Sequence, residues 1–145
     1  MSKDMTPIGD ELCLVDSGTT NSILREIKYF QALKKREGKV LTIAGRDTVI
    51  FGSGRATITL PMDTQITIED ALLYPDSTHT LLSYRDIRQI GFHIETHMHN
   101  REEFLLLTKQ KGYGKRICEK IPSLTLGLYY TYIKPIAHVV YKVIF

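Results

Sequence analysis

One carboxylate in this chain stands where a hydrophobe would be expected. In Glu11-Leu12-Cys13-Leu14-Val15-Asp16-Ser17-Gly18-Thr19-Thr20, the apolar run Leu12 to Val15 ends on Asp16 and passes at once into a hydroxyl-plus-glycine turn. The run has the length and β-branching of a buried strand, and Ser17-Gly18 closes it in a turn whose backbone N–H groups can point at the Asp16 side chain. Such a carboxylate has two uses. It can cap its own turn, as Asp does in many unrelated Asp-Ser-Gly triplets. It can also be half of an aspartic dyad, in which two carboxylates about 3 Å apart share one proton because like charges so close do not both ionise. The dyad needs a second Asp. No other Asp-Ser-Gly or Asp-Thr-Gly occurs, and Asp76-Ser77-Thr78 lacks the glycine. The other carboxylate then has to come from a second copy of the chain.

The remaining candidates for chemistry are weaker. His97-Met98-His99 alternates, so on a strand both rings face one side, with His93 and Cys118 as further possible ligands. Structural zinc wants four ligands, and no Cys-x-x-Cys pair is present, so solvated turn histidines are the favoured reading and neither metal nor cofactor is expected. Cys13 lies inside the apolar run as a small core residue. With Cys118 as the only other cysteine and no secretory pattern at the start, a disulfide framework is not indicated, and an intracellular, cytoplasmic setting is expected. The formal charge is +3, from 19 Lys and Arg against 16 Asp and Glu, which implies no strong field for nucleic acid. Lys34-Lys35-Arg36 and the basic stretch from Lys109 to Lys120 read as solvated faces. No run reaches the roughly 20 apolar residues needed to span a bilayer, so no membrane association is expected, although Ile136 to Phe145 is strongly apolar.

The elements that must position Asp16 are mostly strands, in a chain of 145 residues with room for one core. Residues 1–10 read as a flexible lead. Thr20-Asn21-Ser22 can cap a short turn, and Ile23, Leu24, Ile27, Phe30 and Leu33 then recur at roughly helical spacing until Lys34 to Gly38 breaks the pattern; one or two helical turns are expected there. From Val40 to Ile43 and from Thr48 to Phe51 two β-rich runs flank Ala44-Gly45-Arg46-Asp47, a hairpin signal. Gly52-Ser53-Gly54 suits a bend or bulge before a strand over 56–60, and two further strands are expected over 65–68 and 71–74, separated by Glu69-Asp70. In Leu81-Leu82-Ser83-Tyr84-Arg85-Asp86-Ile87-Arg88-Gln89-Ile90-Gly91, Ser83 caps one short helix that Gly91 ends. A hairpin over 92–108, a brief strand at Arg116-Ile117-Cys118 and another over 127–133 complete a mainly β barrel or sandwich.

This order of motifs resembles the protease region of copia-type LTR retrotransposon Gag-Pol polyproteins, a branch of the retropepsin-like aspartic proteases. Leu14-Val15-Asp16-Ser17-Gly18-Thr19-Thr20 is similar to the family's active-site loop, and Val40 to Leu60 to its flap hairpin and the Gly-x-Gly stretch after it. Ala71-Leu72-Leu73-Tyr74-Pro75 with Leu81-Leu82-Ser83 matches the Val-Leu-Tyr-x-Pro and Asn-Leu-Leu-Ser signature, and Gly127-Leu128-Tyr129-Tyr130 the element leading towards the pre-integrase segment. The resemblance spans roughly residues 11–134. Ser83 stands where retroviral relatives carry glycine, and Tyr84-Arg85 replaces their Arg-Asn/Asp pair.

The resemblance implies a retropepsin-like closed β-barrel over 11–108 with a flap-like hairpin and one short helix, an extension over 109–134 and an unassigned apolar tail at 135–145. It implies an aspartic endopeptidase working as a homodimer on peptide segments of its own polyprotein, inside a virus-like particle where the element is active. Asp16 would be catalytic, Ser17, Gly18 and Thr19 would form the active-site loop, and Ala44, Gly45, Arg46 and Asp47 the flap tip. The competing expectation is a catalytically inactive Pol-derived barrel that persists as a remnant or interaction module.

Overall fold

The computed structural model describes residues 10–41, 47–125, 127–136 and 143–144. Leu12 to Val15 form the middle of strand β1 (Glu11–Asp16). The chain continues through β2 (Ile23–Leu24), a 3₁₀ turn at Ile27–Tyr29, β3 (Phe30–Leu41), β4 (Asp47–Thr59), β5 (Gln65–Leu73), β6 (Thr80–Ser83) and helix α1 (Tyr84–Gln89). Strands β7 (His93–His99), β8 (Glu102–Lys111), β9 (Gly114–Thr125), β10 (Leu128–Ile133) and β11 (Val143–Ile144) complete it. The mainly β architecture with one short α-helix is as expected.

The strands hydrogen-bond in the order β11-β3-β4-β5-β2-β6-β1-β10-β9-β8-β7. Among the described residues this ladder is not closed by hydrogen bonds between its two ends. Its curl is tied instead by one isolated bridge, in which Thr59 and Lys134 exchange both backbone bonds at 2.8 and 3.1 Å. β1 sits near the middle, parallel to β6 on one edge and antiparallel to β10 on the other. It is therefore paired along both edges, and Cys13 to Val15 are buried on both faces as an apolar run requires, while Leu12 is 39 % exposed. Cys13 and Val15 enter the main core with Leu24, Phe30, Ile58, Ile66, Leu82, Ile87 and Leu107, while Leu14 joins Ile23, Leu72 and Leu81 in a second cluster. Each such aliphatic side chain contributes roughly 1.5–3 kcal/mol by leaving water.

Three local expectations need correction. Phe30 and Leu33 lie on β3, not on a helical turn, and Lys34 and Lys35 continue the strand. Their three-residue spacing arises from a register shift, in which Phe30 pairs with Ala56 but Ala32 pairs with Arg55. The extra residue reverses the inside-outside alternation, so that Phe30 and Leu33 are both buried. A second shift explains Glu69-Asp70: the residues do not separate two strands but bulge within β5, between the pairs Ala56↔Ile68 and Gly54↔Ala71. Finally, Arg116-Ile117-Cys118 is part of the twelve-residue β9, whereas the bulge expected at Gly52-Ser53-Gly54 is met by the register shift between Gly54 and Ala56 within β4. Glycine is needed at 54 because a Cβ there would stand 2.0 Å from the Ala32 carbonyl oxygen.

The C-terminal part belongs to the same sheet. β8 runs on to Lys111, the β8–β9 hairpin follows, and β10 lies along β1 with Val15 opposite Tyr129. In the apolar tail, Val143 and Ile144 pair in parallel with Leu33 and Lys34 of β3. The lead over residues 1–9 lies outside the described residues.

Candidate active site

Asp16 is the last residue of β1 and is 3 % exposed. Burying a carboxylate costs several kcal/mol unless its oxygens find donors, and the turn supplies them. Gly18 N–H donates to Oδ1 at 2.8 Å, and the Thr19 hydroxyl donates to Oδ2 at 2.8 Å. Thr19 is itself buried, whereas Ser17 and Gly18 are exposed at the turn. The loop thus holds the carboxylate from two sides and leaves the Ser17 hydroxyl on the surface.

Beneath this loop lies a polar network that the sequence does not announce. Ser83 stands opposite Asp16 in the parallel β1–β6 ladder. Its N–H donates to the Ser22 hydroxyl oxygen at 2.9 Å, and its own hydroxyl donates to the Thr20 carbonyl at 3.3 Å. Ser22 in turn gives its N–H and its hydroxyl proton to Asp86 Oδ2, at 2.9 and 2.7 Å. Ser83 also caps α1, accepting from Arg85 N–H at 3.1 Å. Ser22 and Ser83 are fully buried, and one carboxylate anchors both chain segments that flank Asp16. The only sequence signal for Asp86 is an acidic residue in the first turn of a helix, which ordinarily reads as a partner for the helix dipole.

Tyr84 follows Ser83 and packs partly buried against the main core. Burial first, and the negative charge of Asp16 next, push its hydroxyl above its ordinary value, with Arg88 opposing and Glu103 adding to the rise. Tyr129 of β10 donates to Glu103 on β8, so the C-terminal sheet brings a further carboxylate towards Tyr84. A groove of about 460 Å³ lined by Arg101, Glu102, Glu103, Pro122, Ser123 and Tyr130 lies on that side, and Asp16 is not in its wall.

Of the expected flap tip, only Asp47 falls among the described residues. Ala44, Gly45 and Arg46 lie outside the described residues, and Asp47 opens β4 as the backbone partner of Leu41, the outermost described pair of the β3–β4 hairpin. Among the described residues no three His, Cys, Asp or Glu side chains converge in a metal-binding group. His97 and His99 stack at 6.4 Å between ring centroids, while Cys118 is on β9. Cys13 and Cys118 are both free thiols, and Cys13 is fully buried. Among the described residues no helix is long and apolar enough to cross a membrane.

With this geometry in view, the family comparison is decisive for lineage. The profile described as "Pol polyprotein, beta-barrel domain" matches residues 13–92, more than half of the chain. The chain belongs to the Pol polyprotein β-barrel domain family. No curated protein matches it. The matched span of this Pol β-barrel domain begins in β1 and ends just past α1. It therefore contains Asp16, its loop and the whole Ser22–Ser83–Asp86 network, while β7 to β11 lie beyond it.

Proposed function

We propose that this Pol β-barrel domain is the aspartic endopeptidase of a copia-type retrotransposon polyprotein, active as a homodimer with one Asp16 from each chain. The observation that carries the reading is the doubly held, buried carboxylate of Asp16 at a strand end, with the exposed Ser17 hydroxyl beside it. In the dimer one water lies between Asp16 and Asp16 of the partner subunit. The ionised member takes a proton from that water while the protonated member donates to the scissile carbonyl oxygen. Gly18 and Thr19 hold the carboxylate in place, Ser17 bonds across the two-fold axis, and Ala44 to Asp47 form the tip of the hairpin that closes over an extended peptide. The substrate is peptide from the same polyprotein, processed inside the cell within the element's own particle. Asp16→Asn is expected to abolish cleavage of a longer polyprotein carrying this domain without changing its fold. Retained, pepstatin-insensitive cleavage by Asp16→Asn would sink the reading.

A second reading is supported by the same site. Asp16 is 3 % exposed in one chain, and both edges of β1 are already paired within that chain. A non-catalytic Pol-derived module that uses Asp16 only to hold its turn accounts for both facts. Sedimentation at micromolar concentration with and without pepstatin separates the two readings, because only the dyad gains a dimer on binding the inhibitor.

A further inference from the structure

Strand β7 ends the sheet, and among the described residues nothing pairs with its outer edge. Folded proteins usually protect such an edge with a proline, a bulge or a very short strand. β7 has none of these, and its one carboxylate, Glu95, is already paired with Lys115 of β9. It is seven residues long, contains no proline, and pairs with β8 without a register shift from His93↔Thr108 to His99↔Glu102. Thr96 through His99 are exposed.

We infer that β7 is a self-association edge, taking the β7 strand of a second copy of this chain in antiparallel register about Thr96. The occupant follows from the order of side chains in His93-Ile94-Glu95-Thr96-His97-Met98-His99. A two-fold axis at Thr96 sets each Glu95 opposite the partner's His97, each Ile94 opposite the partner's Met98, and Thr96 opposite itself. Charged and polar groups therefore meet on one face and apolar groups on the other, because residues directly opposite share a face. Glu95 already holds Lys115 of β9 at 2.7 Å, and the partner's His97 adds a second donor to the same carboxylate. The His97 ring lies stacked beside His99, 6.4 Å between centroids, on the same face as Glu95. Met98, 65 % exposed, covers the open side of the partner's Ile94, whose other side packs on the main core. This contact is isologous, so taken alone it closes after two copies. It does not involve Asp16 and stands whether or not the catalytic reading does.

Cross-linking of the full chain tests the register directly. In a Cys118→Ser background, Thr96→Cys places two thiols opposite each other at the axis, within the Cα separation a disulfide accepts. Met98→Cys places them about 13 Å apart along the strands. Mild oxidation is expected to give a covalent dimer rapidly with Thr96→Cys, slowly with Met98→Cys, and unchanged when Asp16→Asn is added. Equal rates for the two cysteines, or no dimer with either, would overturn the proposal. Independently, His97→Glu sets like charges opposite each other twice. It is expected to weaken self-association, read by sedimentation, by about tenfold or more, with the melting temperature unchanged when the chain is dilute enough to be unassociated; undiminished association would count equally against it.

Discussion

Asp16 and Ser83 face each other across the parallel β1–β6 ladder, and they are the points at which two distant chain segments meet. Asp16 is held by its own turn, through Gly18 and Thr19. Ser83 is held by Ser22, which is held by Asp86. The candidate site therefore has a local half and a long-range half, and they can be perturbed separately.

The local half is tested at Thr19. Thr19→Val keeps the shape of the side chain but leaves Asp16 Oδ2 without its hydroxyl donor. A loss of about 1–3 kcal/mol in urea unfolding is expected, while Thr19→Ser keeps the donor and should lose only about 1 kcal/mol, for its buried methyl. If Thr19→Val were as stable as the parent, the hydroxyl would not be holding the carboxylate.

The long-range half is tested at Asp86. Removing the carboxylate in Asp86→Ala deprives Ser22 of its acceptor for two charge-assisted bonds, and a loss of roughly 2–3 kcal/mol is expected. Asp86→Asn retains an oxygen that can accept both and should recover most of that loss. Hydrogen exchange at the Ser83 amide, which rests on Ser22, should quicken in Asp86→Ala and much less in Asp86→Asn.

Glu119 provides the pH-dependent measurement. It is buried on β9, and both its oxygens accept from Met62 N–H, at 3.2 and 3.1 Å, across the turn between β4 and β5. Burial raises its pKa above the ordinary 4.5, with bonds from Thr64 and Met62 partly offsetting the rise. A raised folded value means the fold prefers the neutral acid. The contribution is fully present below the unfolded pKa and is lost as pH rises through the folded one. Relative to Glu119→Gln, which cannot ionise, the parent should therefore lose stability as pH is raised from 4 towards 8. Denaturant unfolding across that range would show it, and a parallel pair of curves would contradict it.

Gly54→Ala is expected to be the most damaging small change in the sheet. The new methyl would meet the Ala32 carbonyl oxygen at 2.0 Å, a backbone atom fixed by the β3–β4 ladder, so the strands must separate or slip. A cost of about 3 kcal/mol is expected in thermal or urea unfolding. Gly127→Ala has nothing within 4 Å of its methyl and tests backbone conformation alone, at φ +81°.

Much of the site was legible in the order of residues, because its chemistry is local. The Asp16 turn, with Gly18 and Thr19 as donors two and three residues on, depends only on an apolar strand running into a hydroxyl-plus-glycine turn. The Ser83 cap and the Gly91 stop of α1 are equally short-range, and both stand as expected. Where the reading went wrong at 30–33 and 69–70, the cause was the same. A bulge inserts one residue and shifts the phase of burial, and three-residue spacing on a bulged strand is indistinguishable from a helical turn until the opposite strand is known.

Local sequence thus determined that Asp16 ends a buried strand in a turn able to hold its charge, that the fold is mainly β, and that one capped helix follows Ser83. Tertiary structure alone decided that Asp86, 64 residues from Ser22 along the chain, anchors the loop beside Asp16. It alone laid β10 along β1 and left β7 as an edge. A hydrogen bond or strand pairing between remote segments depends on chain closure, register and which edge is free, and none of these has a periodic signature in the sequence.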